Sequence, residues 1–248
     1  MNILAVDTST KNASVAIQKE NLILSKNVCN EITHSEKLLT LIDEMLTTSK
    51  LNLKNIDLLA CTNGPGSFTG IRIGLATIKA LAHVNSQKIF NIPTLLLFAL
   101  EEYFEDKNIQ KNKKNYICSL MDAKNDRVYY SIYSFELIDS KLNVNLIYNI
   151  SNEYINPVLD NITKLNINLS YCSDNIIYFK DIIQKYYKKN SINNKYNFYD
   201  KNIIPDAKYI IKYANECIDY DTHISTYNNL DAIYARLSQA ERMKSNEK

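Results

Sequence analysis

All four glycines of this 248-residue chain fall between positions 64 and 74. They lie in Asn63-Gly64-Pro65-Gly66-Ser67-Phe68-Thr69-Gly70 and the following Ile71-Arg72-Ile73-Gly74. The stretch before them, Leu58 to Thr62, is short and apolar, the pattern of a parallel strand buried on both faces. Asn-Gly-Pro-Gly offers positive φ at the glycines and a fixed φ at the proline, so the backbone turns sharply. Ser67 or Thr69 then caps a helix carrying Ile71, Leu75, Ile78 and Ala82 on one stripe. Strand, glycine turn and helix together predict an α/β fold.

The turn matches none of the familiar glycine fingerprints. A dinucleotide loop needs its third glycine three residues after the second, where Thr69 stands. A P-loop needs Lys-Ser/Thr after its last glycine, but Ile71 and Arg72 follow Gly70. A nucleophile elbow needs glycines two residues either side of the serine, and Ser67 has Pro65 and Thr69. Two readings stay open: a purely structural turn, or a helix N-terminus holding an anion.

Length suits one large α/β unit or two small lobes. A net charge of +2 gives no global signal for nucleic acid or anionic membrane. Asn, Lys, Ile and Tyr are heavily used, a texture that weakens arguments from Lys or Tyr abundance. The five cysteines (Cys29, Cys61, Cys118, Cys172, Cys217) are scattered without a Cys-x-x-Cys pair, which predicts reduced apolar fillers. The N-terminus lacks a basic leader, and the longest apolar run, Leu95 to Leu100, is too short for a bilayer. A cytoplasmic protein with no membrane association is expected.

In chain order, Ile3 to Val6, Ser14 to Ile17 and Leu22 to Leu24 read as strands joined by polar turns. Asp7 is either a metal-phosphate ligand or a carboxylate tying its own Ser/Thr-rich turn. Thr33-His34-Ser35-Glu36 has capping-box spacing and opens a helix bearing Leu38, Leu39, Leu41, Ile42, Met45 and Leu46. That helix and the one from Thr69 to His83 are apolar nearly all round, so both should be covered on two sides, by sheet and by either more of this chain or a partner. Gly70 and Gly74, one turn apart, would let another helix approach closely. Lys88 to Ile92 reads as a strand, and Pro93 opens a helix to about Tyr103. Residues 105–115 mark a lobe boundary, giving expected lobes of 1–104 and 105–248, with the C-terminal segment returning to the first. Beyond it, Tyr116–Met121, Val128–Phe135 and Leu142–Tyr148 read as strands, Ile176–Phe179 as a short strand, and Lys180–Tyr187 and Pro205–Cys217 as helices. Residues 219–229 read as a polar loop. No internal repeat shows residue identity. Lys and Tyr interleave from Tyr178 to Tyr213, the texture of an RNA-facing surface.

Little in the chain announces chemistry. The three histidines (His34, His83, His223) are isolated, so no metal site or cofactor is expected. Glu101-Glu102 sits where adjacent helical side chains diverge and reads as a solvated face. The second half has no glycine with which a backbone could approach phosphates closely.

Five segments carry a resemblance: Ile3-Leu4-Ala5-Val6-Asp7-Thr8-Ser9-Thr10, His34-Ser35-Glu36, Gly64 through Gly74, Met121-Asp122-Ala123 with Val128-Tyr129, and Tyr234 through Glu241. Together they resemble the TsaB (YeaZ-type) family, densely over residues 1–100, weakly over 140–228, and again at the end. The resemblance implies the actin/Hsp70/sugar-kinase (ASKHA) fold, two lobes each with a mixed five-stranded sheet flanked by helices. It also implies a non-catalytic subunit that binds TsaD, with TsaE a further partner, in a complex forming N6-threonylcarbamoyladenosine at position 37 of tRNAs reading codons that begin with A. In that family the first two helices meet the partner, and a homodimer through the same helices is plausible for the free chain. Tsa-type docking would then use His34, Leu38, Leu41 and Met45 with Phe68, Arg72, Leu75, Ala76 and Lys79, while Gly64, Pro65, Gly66, Gly70 and Gly74 form a structural turn. tRNA is reached only through the complex. The rival readings are a self-sufficient phosphotransferase or glycoprotease-like peptidase of the same fold, and a direct RNA-binding module. The absent glycine before the sixth strand and the Asn/Lys-rich second lobe depart from the family pattern.

Overall fold

The structure, a computed structural model, describes residues 1–29, 34–107, 109–124, 126–193 and 195–235, leaving aside the side chains of 34–36. The chain runs β1 (Ile3–Asp7), β2 (Asn12–Lys19), β3 (Leu22–Cys29), α1 (His34–Ser49), β4 (Leu58–Thr62), α2 (Phe68–Asn85), β5 (Lys88–Ile92) and α3 (Thr94–Glu105). It continues with β6 (Asn115–Asp122), β7 (Arg127–Ile138), β8 (Lys141–Tyr154), α4 (Ile155–Lys164), β9 (Leu169–Ser173), α5 (Ile176–Lys189), β10 (Tyr196–Phe198), α6 (Lys208–Glu216) and β11 (Ile224–Ser225). The capping threonine expected at position 33 lies outside the described residues.

The two halves repeat one topology without repeating sequence. The first sheet contains the order β5-β4-β1-β2-β3 and the second has β10-β9-β6-β7-β8. In each, the first strand pairs antiparallel with the second and parallel with the fourth. This is the two-lobed ASKHA architecture. One count differs from expectation: the first sheet has six strands, because β11 pairs antiparallel with the edge of β5. The short strand falls in what reads from sequence as polar loop, since a two-residue pairing carries no periodicity.

Strand alternation decides the layers. Ile3 and Ala5 of β1 join one core with Phe90, α3 and α6, while Leu4 and Val6 join a second core with α1 and α2. The first core also takes Ile117, Tyr133 and Phe135 of the second sheet, so α3 and α6 are sandwiched between the sheets. A third core packs α4 and α5 on the outer face of the second sheet. Helix α3 is enclosed up to its last residues: every residue from Thr94 to Tyr103 is buried, and only its Phe104–Glu105 end reaches solvent. That corrects the solvated reading of Glu101-Glu102: both lie between the sheets, and burial pushes each carboxyl up to about 7. Ile176–Phe179 is likewise the first turn of α5 and not a strand. Ile176, Phe179, Ile183 and Tyr187 are buried at helical spacing, and that stripe outweighs local β propensity. Among the described residues no helix is long and apolar enough to cross a membrane.

Candidate functional site

The glycine turn joins β4 to α2 as expected, with Ser67 as the cap: its Oγ accepts the Gly70 N–H at 3.2 Å. The Gly64–Pro65 peptide is cis, and Gly64 has φ +108°. What the glycines admit is this chain's own β1–β2 turn, not a foreign helix. A Cβ on Gly66 would stand 2.1 Å from the Ser9 carbonyl oxygen, and one on Gly70 2.1 Å from that of Thr8. On Gly74 a Cβ would meet Thr8 Oγ1 at 2.3 Å. The Thr8 hydroxyl donates to the Gly70 carbonyl at 2.7 Å, and Ser67 N–H to the Ser9 carbonyl at 2.7 Å. The first two turns of α2 are thus pinned on the Thr8–Ser9 backbone.

Asp7 lies fully buried under this junction. Its Oδ1 accepts the Ser9 hydroxyl at 2.7 Å and the Thr62 hydroxyl, which are the bonds of a carboxylate tying its own turn and the neighbouring strand. Beside it, burial and the Asp7 charge push the Cys61 thiol up to about 12, so it stays protonated.

A cleft of about 890 Å³ opens between the lobes above the turn. The Ser9–Asn12 turn and Pro65–Thr69 form its first-lobe wall, and Met121–Lys124, Asp174 and Asn175 form the second-lobe wall. The carboxylates there are engaged locally. Asp122 accepts the Lys124 N–H at 2.7 Å and holds its ammonium at 3.1 Å. Burial raises Asp174 to about 6, opposed by the Ser173 hydroxyl, which donates at 3.2 Å. Among the described residues no group of three or more His, Cys, Asp or Glu is placed to hold a metal ion.

The residues expected at a partner surface divide in two. Leu38, Leu41, Met45 and Leu75 are 1, 4, 4 and 6% exposed and belong to the core beneath α1 and α2. They are corrected here to inward-facing residues, because their stripe is the one that meets the sheet. Arg72 and Ala76 are exposed, and Phe68 and Lys79 half-buried, on the opposite side of α2 with exposed Ala80 and Val84. The His34 side chain lies outside the described residues.

The C-terminal segment, expected near the first lobe, forms a strap whose course along α2 and whose contacts the sequence reading did not give. Residues 226–235 run back along α2, from Tyr227 against the His83 ring (4.5 Å between centroids) to Tyr234 at the helix start. Leu230 is buried in the α1/α2 core, and the Ile233 N–H donates to the Asn63 carbonyl at 2.7 Å. Arg72 lies 3.7 Å over the Phe68 ring and donates from Nε to the Tyr234 hydroxyl at 3.0 Å. The aromatic residues Tyr227 and Tyr234 are the local sequence signal of its contacts.

Residues 28–210 match the family model described as TsaD: tRNA N6-adenosine threonylcarbamoyltransferase. A Buchnera aphidicola (Schizaphis graminum) protein named tRNA threonylcarbamoyladenosine biosynthesis protein TsaB is 35% identical over 131 residues, 53% of this chain and 60% of that protein. The Escherichia coli K12 protein of the same name is 32% identical over 133 residues, 54% of this chain and 55% of that one. The chain spans about half the length of the curated relatives it matches. A Pseudomonas aeruginosa structure, described as an uncharacterized protein with similarity to peptidase YEAZ, superposes with a TM-score of 0.75 at 20% identity, covering 95% of this chain and 99% of that one. The chain accordingly belongs to the tRNA N6-adenosine threonylcarbamoyltransferase (TsaD) family, and over about half its length it is similar to proteins named TsaB.

Proposed function

We propose that this chain is a non-catalytic scaffolding and activating subunit in the formation of N6-threonylcarbamoyladenosine at position 37 of tRNAs reading codons that begin with A. TsaD supplies the transferase chemistry in this reading, TsaE is a further partner, and the setting is cytoplasmic. The observation that carries it is the outer side of α2. There Ala76 and Ala80 leave the helix backbone bare, Val84 is 73% exposed, and Arg72 and Lys79 flank them. A surface of small and apolar residues on a helix whose other side is already core suits close packing against a second helix. The engaged carboxylates at the cleft support a docking role over independent catalysis. In the absence of TsaD, the same face is expected to pair two copies of this chain.

The test is co-elution. Mixed with TsaD, the chain should move to a heterodimer peak on size exclusion. Ala76→Glu with Ala80→Glu should abolish the shift while leaving the unfolding free energy from urea titration within about 0.5 kcal/mol of the parent, as surface substitutions do. Intact co-elution of the double variant would refute docking through α2.

A further inference from the structure

The second lobe carries an unabsorbed feature at the end facing away from the cleft. Strands β6, β9 and β10 are parallel, with Ile117 opposite Ser170 and Leu169 opposite Tyr196. The segments entering these strands therefore emerge at one edge of the sheet: residues 107–114 before β6, 164–168 before β9 and 188–195 before β10. Those 21 positions hold eight of the 29 basic side chains and no aspartate or glutamate, in a chain with 27 carboxylates and a net charge of +2, although Glu105 and Asp106 border the first segment at the end of α3. A compositional bias toward lysine would spread the lysines along the chain. Topology instead gathers them here from stretches as far apart as Lys111 and Lys195.

Two of the eight lie over rings: the Lys111 ammonium is 5.7 and 5.8 Å from the Tyr103 and Phe104 ring centroids, and that of Lys114 is 5.9 Å from that of Tyr116. All eight are solvent-exposed: Lys107, Lys111, Lys113 and Lys114, and Lys164, Lys188, Lys189 and Lys195. None is in an ion pair among the described residues, whereas Lys185, one turn back on α5, is held by Asp181 at 2.7 Å. The nearest carboxylate on α4, Asp160, accepts the Tyr186 hydroxyl. Lys188 and Lys189 also close α5 favourably against its dipole, but that needs only the last turn of one helix and does not account for the lysines of the other two segments.

We propose that this edge of the second lobe is an RNA-backbone contact, reading phosphates without base specificity. The proposal rests on the reading of the chain as a tRNA-modification subunit, and it adds a direct RNA contact on this chain to one made through a partner. Phosphates spaced along an A-form helix suit lysines spread over three loops, because each neutralised phosphate releases counterion independently of sequence.

The test titrates the full chain, without partner, into fluorescein-labelled tRNA and into an unrelated 20-base-pair RNA duplex from about 50 to 200 mM salt. Both should bind, and with five phosphates engaged the affinity should fall by roughly several-hundred-fold across that range. Lys188→Ala/Lys189→Ala/Lys195→Ala should flatten the log–log slope by about 2–3. Lys111→Glu/Lys113→Glu/Lys114→Glu, in a different loop, should weaken binding on its own. The control, Lys37→Ala/Lys54→Ala/Lys88→Ala, should bind as the parent does. No binding at 50 mM salt, equal loss in the control, or binding to phosphatidylserine vesicles in place of RNA would each overturn the proposal. TsaD co-elution is measured separately on the same variants. Its failure would remove the subunit reading, while RNA binding alone decides this surface.

Discussion

Gly74 offers a sharp test because helix propensity and tertiary structure disagree on the sign. In an exposed helix interior, Gly→Ala stabilises by about 1 kcal/mol. Here the new Cβ would stand 2.3 Å from Thr8 Oγ1, over 1 Å inside ordinary contact, while the next atoms lie at 3.6 and 3.8 Å. Thr8 cannot simply rotate away, since the same hydroxyl donates to the Gly70 carbonyl at 2.7 Å. Overpacking costs about 1–3 kcal/mol, and displacing the buried hydroxyl forfeits a hydrogen bond of about 1 kcal/mol. Gly74→Ala alone should therefore lose roughly 1–3 kcal/mol. Thr8→Ala alone should lose about 1–2 kcal/mol, leaving the Gly70 carbonyl without that donor. In the Thr8→Ala background the obstruction is gone, so Gly74→Ala should be neutral or stabilising by up to about 1 kcal/mol. The cycle predicts a coupling of roughly 1–4 kcal/mol. Gly70→Ala is the control: its Cβ would meet the Thr8 backbone carbonyl, which Thr8→Ala does not remove. Urea denaturation followed by circular dichroism and tyrosine fluorescence measures all six proteins, the Thr8→Ala/Gly70→Ala double variant included. Additive losses, or a stable Gly74→Ala single variant, would refute the close-approach argument and return the glycine to a docking role.

Other consequences are simpler to state. Glu101 and Glu102 have folded values of about 7 against an ordinary 4.5, so the folded state binds protons more tightly and stability should fall as pH rises from about 4.5 to 7. Glu102→Gln should reduce that slope and raise stability at pH 8 by on the order of 1–3 kcal/mol, read from urea midpoints across pH. Leu38→Ala or Leu41→Ala should cost about 2–5 kcal/mol, since both side chains are core, and any loss of partner binding should track unfolding. Arg72→Ala should change global stability by less than about 1 kcal/mol yet increase hydrogen exchange in residues 226–235, because Arg72 bridges Phe68 and Tyr234.

Much of the architecture could be read before any coordinates. The apolar run of β4, the glycine turn and the stripe of α2 follow from local chemistry, as does a hydroxyl cap at Ser67 or Thr69, of which the structure takes Ser67. The misreadings of α2 and α3 share one reason: periodicity says which residues share a face but not what that face meets. Leu75 and Ala76 both lie on an apolar helix, and only packing sends one to the sheet and the other to solvent. The charged pair on α3 looked wet because a helix is usually wet somewhere, and α3 is enclosed by two sheets.

The sequence alone determined most element types of the first lobe, the turn and the family pattern, because these depend on backbone sterics, capping and short-range spacing. The tertiary structure decided what is brought together across long separations. It set Thr8 against Gly70 and Gly74, Tyr234 against Arg72, and the lysines of three distant loops along one sheet edge. Those meetings depend on strand order and layer packing, and strand order is a property of the whole fold that no local window of residues contains.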